Sequence, residues 1–103
     1  MSATDPSVIT LRALSGKPLA EPAIERMIVA TAHAIAERQG VAVLGLDTAP
    51  DRITVELQCN RVAAVGFAAE LRRLTTAWYT GKYGAVTLWG EPSPDDQEDW
   101  KTA

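Results

Sequence analysis

Polar and apolar residues alternate without a break from Arg52 to Cys59, in the order Arg-Ile-Thr-Val-Glu-Leu-Gln-Cys. Successive side chains of an extended chain point to opposite faces, so this run predicts a half-buried strand. Ile53, Val55, Leu57 and Cys59 would face inward, and Arg52, Thr54, Glu56 and Gln58 outward. Asn60 breaks the alternation, and from Arg61 to Thr80 the apolar residues recur at helical spacing. Ala64, Phe67, Ala68, Leu71, Leu74, Thr75 and Trp78 make the stripe of this helix. Asn60 suits its N-cap, and Gly81 or Gly84 its end. Ala85 to Trp89 reads as a further short strand. With Val86 and Leu88 turned inward, Ala85, Thr87 and Trp89 would stand on the outer face of the sheet.

The first half repeats the theme. Val8 to Leu14 is rich in β-branched residues and predicts a strand with Ile9, Leu11 and Ala13 on one face. Ser15-Gly16-Lys17-Pro18 is turn chemistry. A helix is predicted from Pro22, pre-organised for the first helical position, to Gln39, with Gly40 to close it. Ile24, Met27, Ile28, Thr31, Ala34 and Ile35 are its apolar side. Val41 to Asp47 predicts the next strand, with Ala42, Leu44 and Leu46 on one face and Val43 on the other. Thr48-Ala49-Pro50-Asp51 joins it to the Arg52 strand as an antiparallel hairpin. Gly66, in the first turns of the second helix, suggests a close approach to the first helix.

The expected fold is therefore α+β: a ferredoxin-like βαββαβ chain with a four-stranded antiparallel sheet. Right-handed crossovers would place both helices on one face of that sheet and leave the other bare. Residues 1–7 are expected to be a disordered N-terminus, 8–90 a single domain, and 91–103 an acidic flexible tail.

At 103 residues one hydrophobic core suffices without metals or disulfides. The net charge of -3 is unevenly placed: from Glu91 onward the chain carries a net of -4, leaving about +1 on the body. That body lacks the basic surface that drives nucleic-acid binding, and it has no polybasic membrane patch. The RNA-stacking pattern of an open sheet is missing too, because Thr54, Glu56 and Gln58 stand where aromatic rings would be needed. With one cysteine, no apolar leader after Met1 and no apolar run long enough to span a bilayer, the expectation is a cytoplasmic protein.

Candidate chemistry is sparse. His33 is the only histidine and Cys59 the only cysteine, too few for a transition-metal site, so no metal or cofactor is expected. Gly16-Lys17 and Gly81-Lys82 lack the spacing of a phosphate loop. A single His33 acting as a base would need a pocket around it. The aromatic residues are the better signal. Five of the six lie between Arg52 and Trp89, and Trp78, Tyr79, Tyr83 and Trp89 fall within twelve residues with Lys82 among them. Such side chains anchor interfaces and ligand sites. Trp89 on a bare face beside Val43, Thr10, Thr54, Ala85 and Thr87 would leave a wet semi-apolar patch that a second subunit, the tail with Trp100, or a ligand must cover. The ligand or interface residues expected are Tyr79, Lys82, Tyr83, Trp89 and His33.

These features favour a non-enzymatic interaction or regulatory domain, expected to form a homodimer through its open sheet face or a sheet edge. The strand order, the Gly16-Lys17-Pro18-Leu19 turn and the Gly40-Val41-Ala42-Val43-Leu44 entry to the second strand resemble ACT domains in outline. That resemblance implies a small-ligand regulatory domain binding amino acids near the first turn. The chain departs from the pattern in lacking Asp-x-Pro-Gly and in the length of its first helix, so no residues are carried over. A small enzyme using His33, Lys82 or Tyr83 as acid or base is the remaining alternative.

Overall fold

The computed structural model describes residues 6–14, 16–84 and 88–90. They form β1 (Ser7–Arg12), a single 3₁₀ turn (Pro18–Ala20), α1 (Pro22–Gln39), β2 (Ala42–Ala49), β3 (Arg52–Gln58) and α2 (Arg61–Tyr83). The three strands make one antiparallel sheet in the order β1-β3-β2, so the path from β1 through α1 to β2 crosses over β3.

This overturns the four-stranded ferredoxin-like sheet. Leu88–Gly90 reaches the end of β1 but makes only an isolated antiparallel bridge between Ala13 and Trp89. Two backbone bonds hold it, from Leu14 N–H to the Leu88 carbonyl at 3.0 Å and from Gly90 N–H to the Arg12 carbonyl at 2.9 Å. Ala85, Val86 and Thr87 of the expected strand lie outside the described residues. One physical reason is the length of α2. It runs on through Gly81 to Tyr83, absorbing residues expected in a loop. Little chain is then left before Pro92, which has no N–H to offer a ladder.

Local signals place both helices. The N–H of Gly40 and of Val41 reach the carbonyls of Glu37 and Ala36 at 3.2 and 2.9 Å. This closes α1 in a Schellman turn, with Gly40 at φ 70°, a conformation that costs glycine nothing. Asn60 caps α2 as expected, its side-chain oxygen accepting the N–H of Ala63 at 2.9 Å.

The core lies between the helices and one face of the sheet. Ile9 and Leu11 from β1 and Ile53, Val55 and Leu57 from β3 pack with Ile24, Ile28, Ala32 and Ile35 of α1 and Ala64, Phe67 and Leu71 of α2. On α1 the buried stripe passes through Ala32 and Ala36, and Ala34, expected inside, is exposed. Ser7, read as part of a loose N-terminus, opens β1, is buried and donates its hydroxyl to the Cys59 carbonyl at 2.9 Å.

β2 departs from simple alternation. Val43 pairs with Leu57 and Gly45 with Glu56, so Leu44 is the extra residue of a β-bulge. The bulge shifts the phase by one residue. Val43 and Leu46 pack against the core, while Leu44, expected to share a face with Leu46, is 49% exposed.

Gly66 does not mediate helix contact. It is exposed, and a Cβ built on it meets nothing within 4 Å. Gly66→Ala is therefore expected to stabilise the protein by about 0.8–1 kcal/mol through the lower entropy cost of alanine in a helix. Urea denaturation would show it as a higher midpoint at unchanged slope.

Candidate functional site

The last turns of α2 gather three aromatic residues, Trp78, Tyr79 and Tyr83. Tyr83 lies against both Trp78 and Tyr79, with ring centroids 6.2 Å apart (edge-on) and 4.8 Å apart (tilted), respectively. Helical spacing brings Tyr79 and Tyr83, four apart, onto one side of the helix, and the Trp78 ring reaches Tyr83 from the flank. The Lys82 ammonium stands 5.8 Å from the Trp78 ring centroid, within range of a weak cation–π contact. Trp78 and Tyr79 pack partly against the core, and Tyr83 is 44% exposed. Three of the expected site residues, Tyr79, Lys82 and Tyr83, thus share one place.

Trp89 is not with them on the surface. It is 3% exposed, and its indole N–H donates to the Thr75 hydroxyl at 2.8 Å. Thr75 is itself fully buried on α2 and donates to the carbonyl of Leu71, one turn back. The bridge to Ala13 explains the reversal. Ala13 continues the Ile9–Leu11 side of β1, so its antiparallel partner faces the helices rather than water. Neither Trp89 nor Val43 lies on the expected wet patch: Trp89 is buried in the core and Val43 packs against it.

His33 is exposed on α1 and takes no hydrogen bond, ion pair or ring contact among the described residues. Cys59 is buried, and loss of solvation pushes its thiol pKa up, which disfavours the nucleophilic thiolate. No group of three or more His, Cys, Asp or Glu side chains among the described residues could hold a metal ion. No helix among them is long and apolar enough to cross a membrane.

The outer face of the sheet is the other candidate surface, and the β2 bulge sets which residues of that strand lie on it. The register sets Gln58 and Ala42 in one row, Val8, Glu56 and Gly45 in the next, Thr10, Thr54 and Asp47 in the third, and Arg12, Arg52 and Ala49 in the last. The Thr10 and Thr54 hydroxyls meet at 3.2 Å across the middle of this face. Its side chains are half-buried or exposed and mostly polar, with Leu44 at the bulge as the large apolar exception. On the far side of the molecule, Glu70 takes Arg73 at 2.8 Å and Arg38 of α1 at 3.1 Å, tying the helices together at the surface. Exposed pairs of this kind contribute roughly 0–1 kcal/mol each and serve alignment more than stability.

The ACT-like outline loses its four-stranded topology in this structure. No protein-family model matches the chain, and no curated protein matches it either.

Proposed function

We propose that this protein is a non-enzymatic interaction module that self-associates through the outer face of its sheet. The observation that carries the reading is the two-sided character of β1 and β3. Ile9, Leu11, Ile53, Val55 and Leu57 are buried under both helices, while Thr10, Thr54, Glu56 and Arg52 stand on a face that neither helix covers. A two-fold axis, the commonest oligomeric symmetry, would bring this face against its own copy. Sedimentation velocity over a concentration series tests it. A dimer that dissociates on dilution and is weakened by Thr54→Lys at the centre of the face is the expected result. A wild-type protein that remains monomeric at the highest concentration overturns the reading.

The ring cluster favours a second reading, a small-ligand regulatory domain. Tyr83 and Tyr79 offer an aromatic surface beside the Lys82 ammonium, which suits a flat ligand bearing an anionic group. A thermal-shift screen with amino acids and nucleotides is its test, with the stabilising shift lost in Tyr83→Ala. Shifts absent throughout, or undiminished in that variant, remove the reading. His33 has no hydrogen bond, ion pair or ring contact among the described residues, so no observation joins it to Lys82 or Tyr83 for acid–base work.

A further inference from the structure

The outer sheet face carries its charges in an order that selects one geometry of self-association, and this inference rests on the reading that the face is where copies meet. Along the outward side of β3 the order is Arg52, Thr54, Glu56 and Gln58, so the guanidinium and the carboxylate stand on either side of Thr54. Arg12 lies beside Arg52, and Val8 and Gly45 lie beside Glu56. The face is therefore basic in the row of Arg52 and acidic in the row of Glu56. Asp51 approaches Arg52 at 3.4 Å, but both side chains are about half exposed, at 52% and 45% respectively. A solvated contact of that kind does not commit the guanidinium.

Two simple two-fold axes can lie between facing copies of such a sheet. An axis along the strands sets Arg52 over Arg52 and Glu56 over Glu56, pairing like with like on the central strand. An axis across the strands reverses the order of the rows and sets Arg52 over Glu56, twice in each dimer. We propose that the protein dimerises face to face about an axis crossing β3 at Thr54, with Arg52 of each copy against Glu56 of the other. Thr10 and Thr54 then meet their own copies at the centre, where hydroxyls serve as donor or acceptor as needed. Asp47 faces its own copy as well. It lies on the edge strand and is exposed, so that repulsion sits at the wet rim and is screened.

The size of the face makes the charge order decisive. Three strands about 4.8 Å apart give a patch well below the roughly 800 Å² per partner of a standard interface. Apolar burial on it is slight, since Val8 and Leu44 are its main apolar side chains. Association is then weak, and opposite-charge contacts decide both orientation and salt response.

A charge swap tests the geometry. The full-length wild type, Arg52→Glu, Glu56→Arg and the double variant would be compared by sedimentation velocity at low and high salt. Circular dichroism would confirm that each is folded. Both side chains face water on a strand whose other side forms the core, so the fold should tolerate the changes. Each single variant is expected to weaken dimerisation by roughly tenfold or more. The double variant restores it to near the wild-type level, and raising salt from about 0.05 M to about 0.5 M weakens the wild type. A wild-type dimer that ignores both salt and the single substitutions overturns this geometry while leaving self-association standing. Single variants that weaken the dimer without rescue in the double overturn it equally. A monomeric wild type overturns both the geometry and the reading beneath it.

Discussion

Trp89→Ala is expected to destabilise the protein by about 3–5 kcal/mol, the range for removing a large buried aromatic side chain. The residue is 3% exposed and anchors the last described segment to the body through the Ala13 bridge and the Thr75 hydroxyl. A loss of that size is a large share of the roughly 5–15 kcal/mol that holds a domain folded. Melting should fall by well over 10 °C, given about 4–8 °C per kcal/mol for a chain near this size.

A milder cycle isolates the polar contact. Thr75→Val leaves a buried indole N–H without an acceptor, at a cost of about 1–3 kcal/mol. Trp89→Phe removes the donor and some area together. In the double variant no indole N–H is left without a partner, so its cost should fall short of the sum by about 0.5 kcal/mol or more. Strictly additive urea-denaturation values would show that the indole does not bond to Thr75 in solution.

The second large effect belongs to Phe67. It is the only phenylalanine, fully buried on α2, in one cluster with Leu71, Ile28, Ile35 and the inward residues of β1 and β3. Phe67→Ala is expected to cost about 3–5 kcal/mol, because its neighbours come from both helices and the sheet and cannot all move inward to fill the space. Phe67→Leu keeps most of the volume and should cost about 1–2 kcal/mol. Equilibrium unfolding of the two variants gives the comparison. A Phe67→Ala protein as stable as the wild type would mean that α2 does not seat this face on the sheet.

Much of this architecture was legible in the residues. α1 runs from Pro22 to Gln39 as its proline start and glycine stop imply, and β1 and β3 bury the side that their alternation assigns. Asn60 caps α2 as its position suggests. All of these follow from interactions within a few residues of one another, where local geometry and hydrogen bonding decide the outcome.

The failures share a different cause. Leu44 and Val43 exchange faces because β2 pairs with β3 through a bulge, and the register of two strands is a property of the pair rather than of either sequence. Trp89 looked like an outward residue of a fourth strand. Its environment is set by a bridge to Ala13, distant in the chain, and by a threonine on α2 that takes its N–H. Gly66 suggested helix contact, yet the rotation of α2 against the sheet turned it to open space.

The sequence by itself determined where each helix starts and which side of β1 and β3 is apolar. Only the tertiary structure decided the strand order β1-β3-β2, the bulge, the burial of Trp89 and the rows of charge on the outer face. The division follows range. Periodicity and capping act over one or two turns, whereas register and burial arise from pairing between segments whose mutual fit no single stretch encodes.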